Sequence, residues 1–286
     1  MNAFSFARKS SAGPRCWMVA VLALAPLAAQ NSRSEWSKPF PPHKVIGNVY
    51  FVGTVNLGNY LITTPEGHIL INTDFEETVP VVRAAVEKLG FKFTDIKIIL
   101  GSHAHGDHME GDALAKELTA ARVMAMEQDV PALKKMMPGG KEHPIDRVLH
   151  DGDEVKLGGS VLTAHLTAGH TKGCTTWSMK ATEAGKTYDV VVVCSVGVNA
   201  GTVLVNNKDY PQIADDYVRS FATLRKLPCD VFLAAHIAFY DLEAKYPKLG
   251  KGTNPFIDHA GYLAYIDLKE KQFNDELARQ RNSGKP

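Results

Sequence analysis

Six residues, His103-Ala104-His105-Gly106-Asp107-His108, restrict the folding of this chain more than any other feature. Three imidazoles and a carboxylate this close are costly to bury without a cation to organise them. Their spacing of two, two and one fits no single helix face. They follow at once on the apolar run 96–100, which reads as a buried strand. The cluster therefore sits in the loop leaving that strand, where alternate side chains can turn to opposite sides and serve two neighbouring metals. His170 and His236 lie far along the chain, each just after an apolar run (161–166 and 231–235). Ligands from several strand ends can meet at one rim. Imidazole and carboxylate donors suit zinc, and iron and manganese are also compatible. His43, His68, His143, His150, His165 and His259 read as ordinary surface or core residues.

Around these residues the pattern alternates between the two periods of regular structure. Short apolar runs at 49–52, 60–63 and 68–72 read as strands, and Pro65-Glu66-Gly67 marks a hairpin between the last two. Val79, Val82, Ala85, Val86 and Leu89 share one helical face, and Gly90 is placed to end that helix. Further strands are expected at 123–126, 177–180 and 190–194, the last rich in β-branched residues. Helices are expected over part of 128–136, over 213–227 and over 260–281. Residues 136–140, Met-Met-Pro-Gly-Gly, read as an irregular loop that borders the site either as a lid or as plain surface. Strands and helices recur in both halves, which predicts an α/β layered domain.

The first residues differ in kind. Arg8, Lys9 and Arg15 precede an apolar run from 16 to 29 that closes on Ala28-Ala29. A basic start, an apolar stretch and a small-residue end describe a cleavable signal peptide, residues 1–29, ahead of a single domain, 30–286. The alternatives are a retained anchor or a buried helix, but the run is short for a membrane span. Cleavage removes three positive charges and no acidic ones, taking the formal net charge from +1 to −2. Neither value points to nucleic acid or a strongly acidic partner. Export to the periplasm or beyond permits a disulfide. Cys174, Cys194 and Cys229 remain after cleavage, enough for one bridge and an odd thiol, and the spacing does not choose the pair.

His103-Ala104-His105-Gly106-Asp107-His108 resembles the HxHxDH signature of the metallo-β-lactamase fold, and Gly169-His170-Thr171 and Ala235-His236 follow in the order that family requires. The resemblance covers residues 40–277 and implies a four-layer αββα sandwich with metals at one edge. The superfamily hosts many reactions. Its glyoxalase II enzymes and many lactonases carry a metal-bridging Asp on a strand between the third and last His. Residues 190–195 here, Val-Val-Val-Val-Cys-Ser, have none. The first two lactamase subclasses use a Cys there as ligand and lack the His at 108. Having His108, with Ser195 after Cys194, is similar to subclass B3. So are Thr163-Ala164-His165, Gly173-Cys174-Thr175-Thr176-Trp177 and Asn254-Pro255-Phe256.

That resemblance implies two zinc ions per chain. His103, His105 and His170 would hold the first, and Asp107, His108 and His236 the second. A hydroxide between them, oriented by Asp107, would attack the lactam carbonyl of a small-molecule β-lactam without an acyl-enzyme. Ser195 and Asn199 would hold the substrate carboxylate or a bridging water. Cys174 and Cys194 would form the disulfide. A monomer that confers β-lactam resistance is expected, with no membrane association after signal cleavage. The nearest alternative is an exported metallohydrolase acting on a lactone, thioester or phosphoester; a non-enzymatic metal- or partner-binding scaffold is the more distant one. Three positions depart from the pattern: Asn72 stands where Asp is usual, with Asp74 the candidate to compensate, and Lys172 and Ile237 each stand where Pro is frequent. Lys172 is expected to alter the charge of the rim.

Overall fold

Alternation along four central strands sets the layering. In β3 (Tyr60–Thr64), β4 (Gly67–Ile71), β5 (Ile96–Leu100) and β6 (Arg122–Met126), the side chains of Tyr60, Ile62, Ile69, Ile71, Ile98, Leu100, Met124 and Met126 enter one core. Leu61, Leu70, Ile99 and Val123 point the other way, into a second core with Val79, Val82 and Val86 of α1 (Val79–Lys88). Strands apolar on both faces must be covered on both. The structure, a computed structural model, describes Met1 and residues 33–284. The signal-peptide reading falls outside those residues.

The first sheet runs β1 (His43–Ile46), β2 (Val49–Phe51), β3, β4, β5, β6, β7 (Arg147–Leu149). The expected β3–β4 hairpin is present, and β4 to β7 are parallel. The second sheet runs β12 (Val231–Ala234), β11 (Lys186–Val193), β10 (Thr175–Glu183), β9 (Ser160–Leu166), β8 (Glu154–Leu157). Its inner face contributes Leu162, Ala164 and Trp177 to the shared core. The helices after α1 are α2 (Gly106–Met109), α3 (Asp112–Thr119), α4 (Val130–Met136), α5 (Ile213–Lys226), α6 (Leu242–Lys245) and α7 (His259–Ser283); α5 and α7 pack on the second sheet, with Tyr217 stacked on Phe273 and Phe221 tilted against it. The fold is the four-layer αββα sandwich.

Three strands, β1, β7 and β8, lie beyond those expected. They are short, and all three hold sheet edges, where polar side chains blur the apolar pattern. The hairpin β10–β11 extends further than the apolar runs 177–180 and 190–194. Its outer end is made of polar pairs such as Lys180 with Asp189 and Thr182 with Thr187. Ala184 and Gly185, with φ of 50° and 79°, form its turn. Among the described residues no helix is long and apolar enough to cross a membrane.

Candidate metal centre

The C-terminal ends of β5, β9, β11 and β12 open onto one edge of the sandwich. The chain leaves β5 through Gly101 and Ser102 to His103, then turns into a one-turn helix, α2 (Gly106–Met109), instead of a plain loop. His105, extended at its head, and Asp107 and His108 within it, thereby face different ways. His170 follows β9 and His236 follows β12. Two groups of donor atoms result, each within 4.8 Å of one another: His103, His105 and His170, and Asp107, His108 and His236. The rings of His103 and His108 stand 4.2 Å apart and join the groups.

Each remote ligand is oriented from behind. His170 Nδ1 lies 2.8 Å from the Gly197 carbonyl, and His236 Nδ1 lies 2.9 Å from Asn56 Oδ1. Donation to those oxygens leaves both Nε2 lone pairs aimed inward. Burial holds these imidazoles neutral: His170 is pushed down to about 4 and His236 to about 3, and His103 and His108 also fall. Burial is the main cause, and neighbouring imidazoles add to it. His103 Nε2 is buried with no hydrogen-bond partner. His108 Nε2 and His236 Nε2 face each other at 3.2 Å, with an Asp107 oxygen at 3.3 and 3.7 Å from them. Neutral nitrogens with converging lone pairs repel unless a cation stands between them, so this donor set fits metal ions.

Asn72, where Asp is usual, does the work of both an acceptor and a donor. Its Oδ1 accepts from Ser102 N at 2.8 Å, one residue before His103, and its Nδ2 donates to the Gly58 carbonyl at 3.1 Å. Asp74 is buried beside it and accepts from Asn59 Nδ2, while the backbone N–H groups of Thr73 and Asp74 donate to the His108 carbonyl. Ile237 uses an N–H that Pro would lack, donating to Asn56 O at 3.0 Å. This bond holds the chain just past His236. Lys172 turns away from the metal residues: its ammonium donates to the Asp209 carbonyl and sits over the Tyr210 ring.

Above the donors lies a cleft of 450 Å³ walled by Arg33, Trp36, Phe75, Glu110, Asn199 and the metal residues themselves. Asn199 is exposed in its wall, whereas Ser195 is buried. Cys174 and Cys194 form a disulfide, and Cys194 Sγ lies 3.4 Å from His103 Nδ1. Cys229 is the free thiol, buried and pushed up to about 12 by desolvation. Met137 is exposed at the tip of the 136–140 loop, in the left-handed region.

Asp129 is a functional residue that the sequence pattern does not reveal. Its carboxylate is buried and accepts three bonds: from Ala104 N at 2.8 Å, Thr171 Oγ1 at 2.9 Å and Gly173 N at 2.7 Å. One side chain thus ties the loop of His103 and His105 to the loop of His170. Asn56 and Gly197 were equally hidden. None of the three lies in a local motif, so no sequence signal marks them.

Comparison with known proteins places these features in context. The family described as the metallo-beta-lactamase superfamily matches residues 59–236. The native FEZ-1 metallo-beta-lactamase from Legionella gormanii superposes with a TM-score of 0.82 at 48% identity, over 85% of this chain and 98% of that one. BJP-1, a subclass B3 metallo-beta-lactamase of Bradyrhizobium japonicum, gives 0.81 at 35% identity, over 88% and 99%. A hydroxyacylglutathione hydrolase of Rhodopseudomonas palustris (strain BisB5) is 36% identical over 118 residues; the match spans 41% of this chain and 41% of that relative.

Proposed function

The chain belongs to the metallo-beta-lactamase superfamily, and on that premise we propose that it is an exported, zinc-dependent β-lactamase. The observation that carries the choice of substrate is the end of β11. A metal-bridging Asp, the mark of the thioester hydrolases in this superfamily, would stand there. None of residues 190–195 is Asp: Cys194 is tied to Cys174, and Ser195 follows it. The only carboxylate of β11, Asp189, pairs with Lys180 at the far end of the strand. The similarity to FEZ-1 and BJP-1 over nearly their whole lengths supports the same reading.

In this reading His103, His105 and His170 hold one zinc, and Asp107, His108 and His236 hold the other. The zinc pair supplies Lewis acidity, which brings the ionisation of water toward neutral pH and polarises the scissile carbonyl. The protein supplies orientation. Gly197 and Asn56 fix which nitrogen of His170 and of His236 faces the site. The carboxylate of Asp107 accepts a hydrogen from the attacking water and aligns it. The water oxygen bonds to the carbonyl carbon, the C–N bond of the ring breaks, and the proton that the water gives up passes to the departing nitrogen. Asn199, in the cleft wall, contacts the substrate.

Purified zinc-loaded protein is expected to open carbapenem or cephalosporin rings and to lose that activity with a chelator. No turnover across several β-lactam classes, with both metals bound, overturns the reading. The second reading, thioester hydrolysis, is favoured by the hydroxyacylglutathione hydrolase relatives. An S-acylglutathione assayed beside the β-lactams separates the two.

A further inference from the structure

The loop that presents His170 rests on α5, a helix that supplies none of the metal-binding residues. Ser220 Oγ donates to the Ala168 carbonyl at 2.6 Å. One turn earlier on the same face, the ring of Tyr217 occupies the space beside Gly169. That glycine has φ of 132°, and a Cβ built on it would meet three atoms of the Tyr217 ring at 2.7 to 2.9 Å. No larger residue fits at 169 unless the ring or the backbone before His170 moves.

The same side chain reaches past the loop to the carbonyl that His170 uses. Tyr217 Oη donates to Gly197 O at 3.0 Å, and His170 Nδ1 lies 2.8 Å from that oxygen. A carbonyl oxygen has two lone pairs, and these two donors take both. Residues 194–199 belong to no strand or helix, so no sheet ladder fixes the direction of this carbonyl. Tyr217 is firmly set by contrast. It is buried, and its ring stacks on Phe273 of α7 with centroids 5.1 Å apart. Burial also pushes the phenol pKa up, so the hydroxyl keeps the proton that it donates. One side chain therefore holds both the backbone just before His170 and the oxygen that orients the ring of His170.

We propose that Tyr217 is a positioning residue for the site of His103, His105 and His170, acting on His170 through the Gly197 carbonyl. Buried behind the loop, it is not itself a catalytic residue. With the hydroxyl bound, the carbonyl is fixed, the N–H of His170 follows it, and Nε2 is aimed at the site. Without the hydroxyl, the carbonyl keeps one partner in an irregular segment, and the imidazole samples a wider range of directions. The inference rests on the two-zinc reading above and holds whichever bond the metals help to cleave.

The test compares Tyr217→Phe with Ser220→Ala. Each removes one hydroxyl that α5 donates to a backbone carbonyl, but only Tyr217 bonds the carbonyl that His170 uses. Both are expected to lower Tm by a similar few degrees. Zinc affinity is measured by competition with a chromophoric chelator, with the first site read alone in a His236→Ala background. Tyr217→Phe is expected to weaken the His103–His105–His170 site about tenfold and the other site less than about threefold. Ser220→Ala is expected to stay below about threefold at both. In zinc-loaded protein carrying isotope-labelled histidine, the ring N–H resonance of His170 is expected to shift in Tyr217→Phe and to stay in place in Ser220→Ala. Equal weakening of both sites, an effect on the first site matched by Ser220→Ala, or an unmoved His170 resonance in Tyr217→Phe overturns the inference alone. A wild-type protein that takes up fewer than two zinc ions, or a His236→Ala variant that loses both, overturns the two-zinc reading, and the inference with it.

Discussion

Asp129 shows what a single buried carboxylate can hold. With its three hydrogen bonds removed, Ala104 N and Gly173 N are left in a dry interior, at about 1–3 kcal/mol for each unsatisfied group. Asp129→Ala is therefore expected to lower stability by about 2–5 kcal/mol in denaturant unfolding, and to weaken zinc binding at least about tenfold by metal titration. His143 offers a different kind of control. Burial opposes its protonation, but both ring nitrogens face oxygens only: Asp112 Oδ2 at 3.2 Å, the Met109 carbonyl at 3.1 Å and the Pro144 carbonyl at 3.1 Å. The net effect raises its pKa above the ordinary 6.5. A group raised on folding stabilises fully below its unfolded value and loses that contribution as pH climbs through its folded value. The Tm advantage of wild type over His143→Gln is thus expected to be larger at pH 5.5 than at 8.5; an advantage that is flat or grows with pH counts against the imidazolium.

At the scale of elements, the disulfide joins the start of β10 to the end of β11, at a sequence separation of 20. Cys174→Ser is expected to cost about 3 kcal/mol by the loop-closure argument, while the six metal-binding side chains stay in place and zinc is retained. Thiol counting on the unfolded, unreduced wild type should give one group, Cys229; three would refute the bridge. The same elements show what was legible in advance. β5 matches its expected span because a strand covered on both faces is apolar at nearly every position, the exposed Lys97 excepted, and α1 because its apolar residues recur on one face. The edges β1, β7 and β8 were not legible: backbone pairing with a neighbour forms them, and that is invisible in a short polar run. At the site, the residues of the HxHxDH cluster announced themselves by spacing. Asn56, Asp129 and Gly197 are solitary polar or small residues whose partners lie tens of residues away, so only the fold brings them to the site.

For the molecule as a whole, the ligands belong to two sheets. His103 to His108 follow β5 of the first, and His170 and His236 follow β9 and β12 of the second. Bound metal therefore fastens the two halves of the sandwich together, and the binding energy adds to stability by mass action. Chelation is expected to lower Tm by several degrees yet leave a cooperative transition, because both apolar cores and the disulfide need no metal. His236→Ala is expected to deplete the Asp107–His108 site more than the other; equal loss of both metals refutes the partition. Export of the chain is tested by the N-terminal residue of the protein recovered from the periplasm, expected at position 30.

One further consequence concerns light. Trp36 presents its edge to His236, with ring centroids 5.9 Å apart, and Trp177 donates its indole N–H to the Gly101 carbonyl, two residues before His103. Each group of ligands thus has an intrinsic fluorophore beside it, one at the open cleft and one sealed in the core. Loading of the second site should alter the emission of Trp36 while Trp177 supplies a steady internal standard, so the filling of that site can be followed without any added dye.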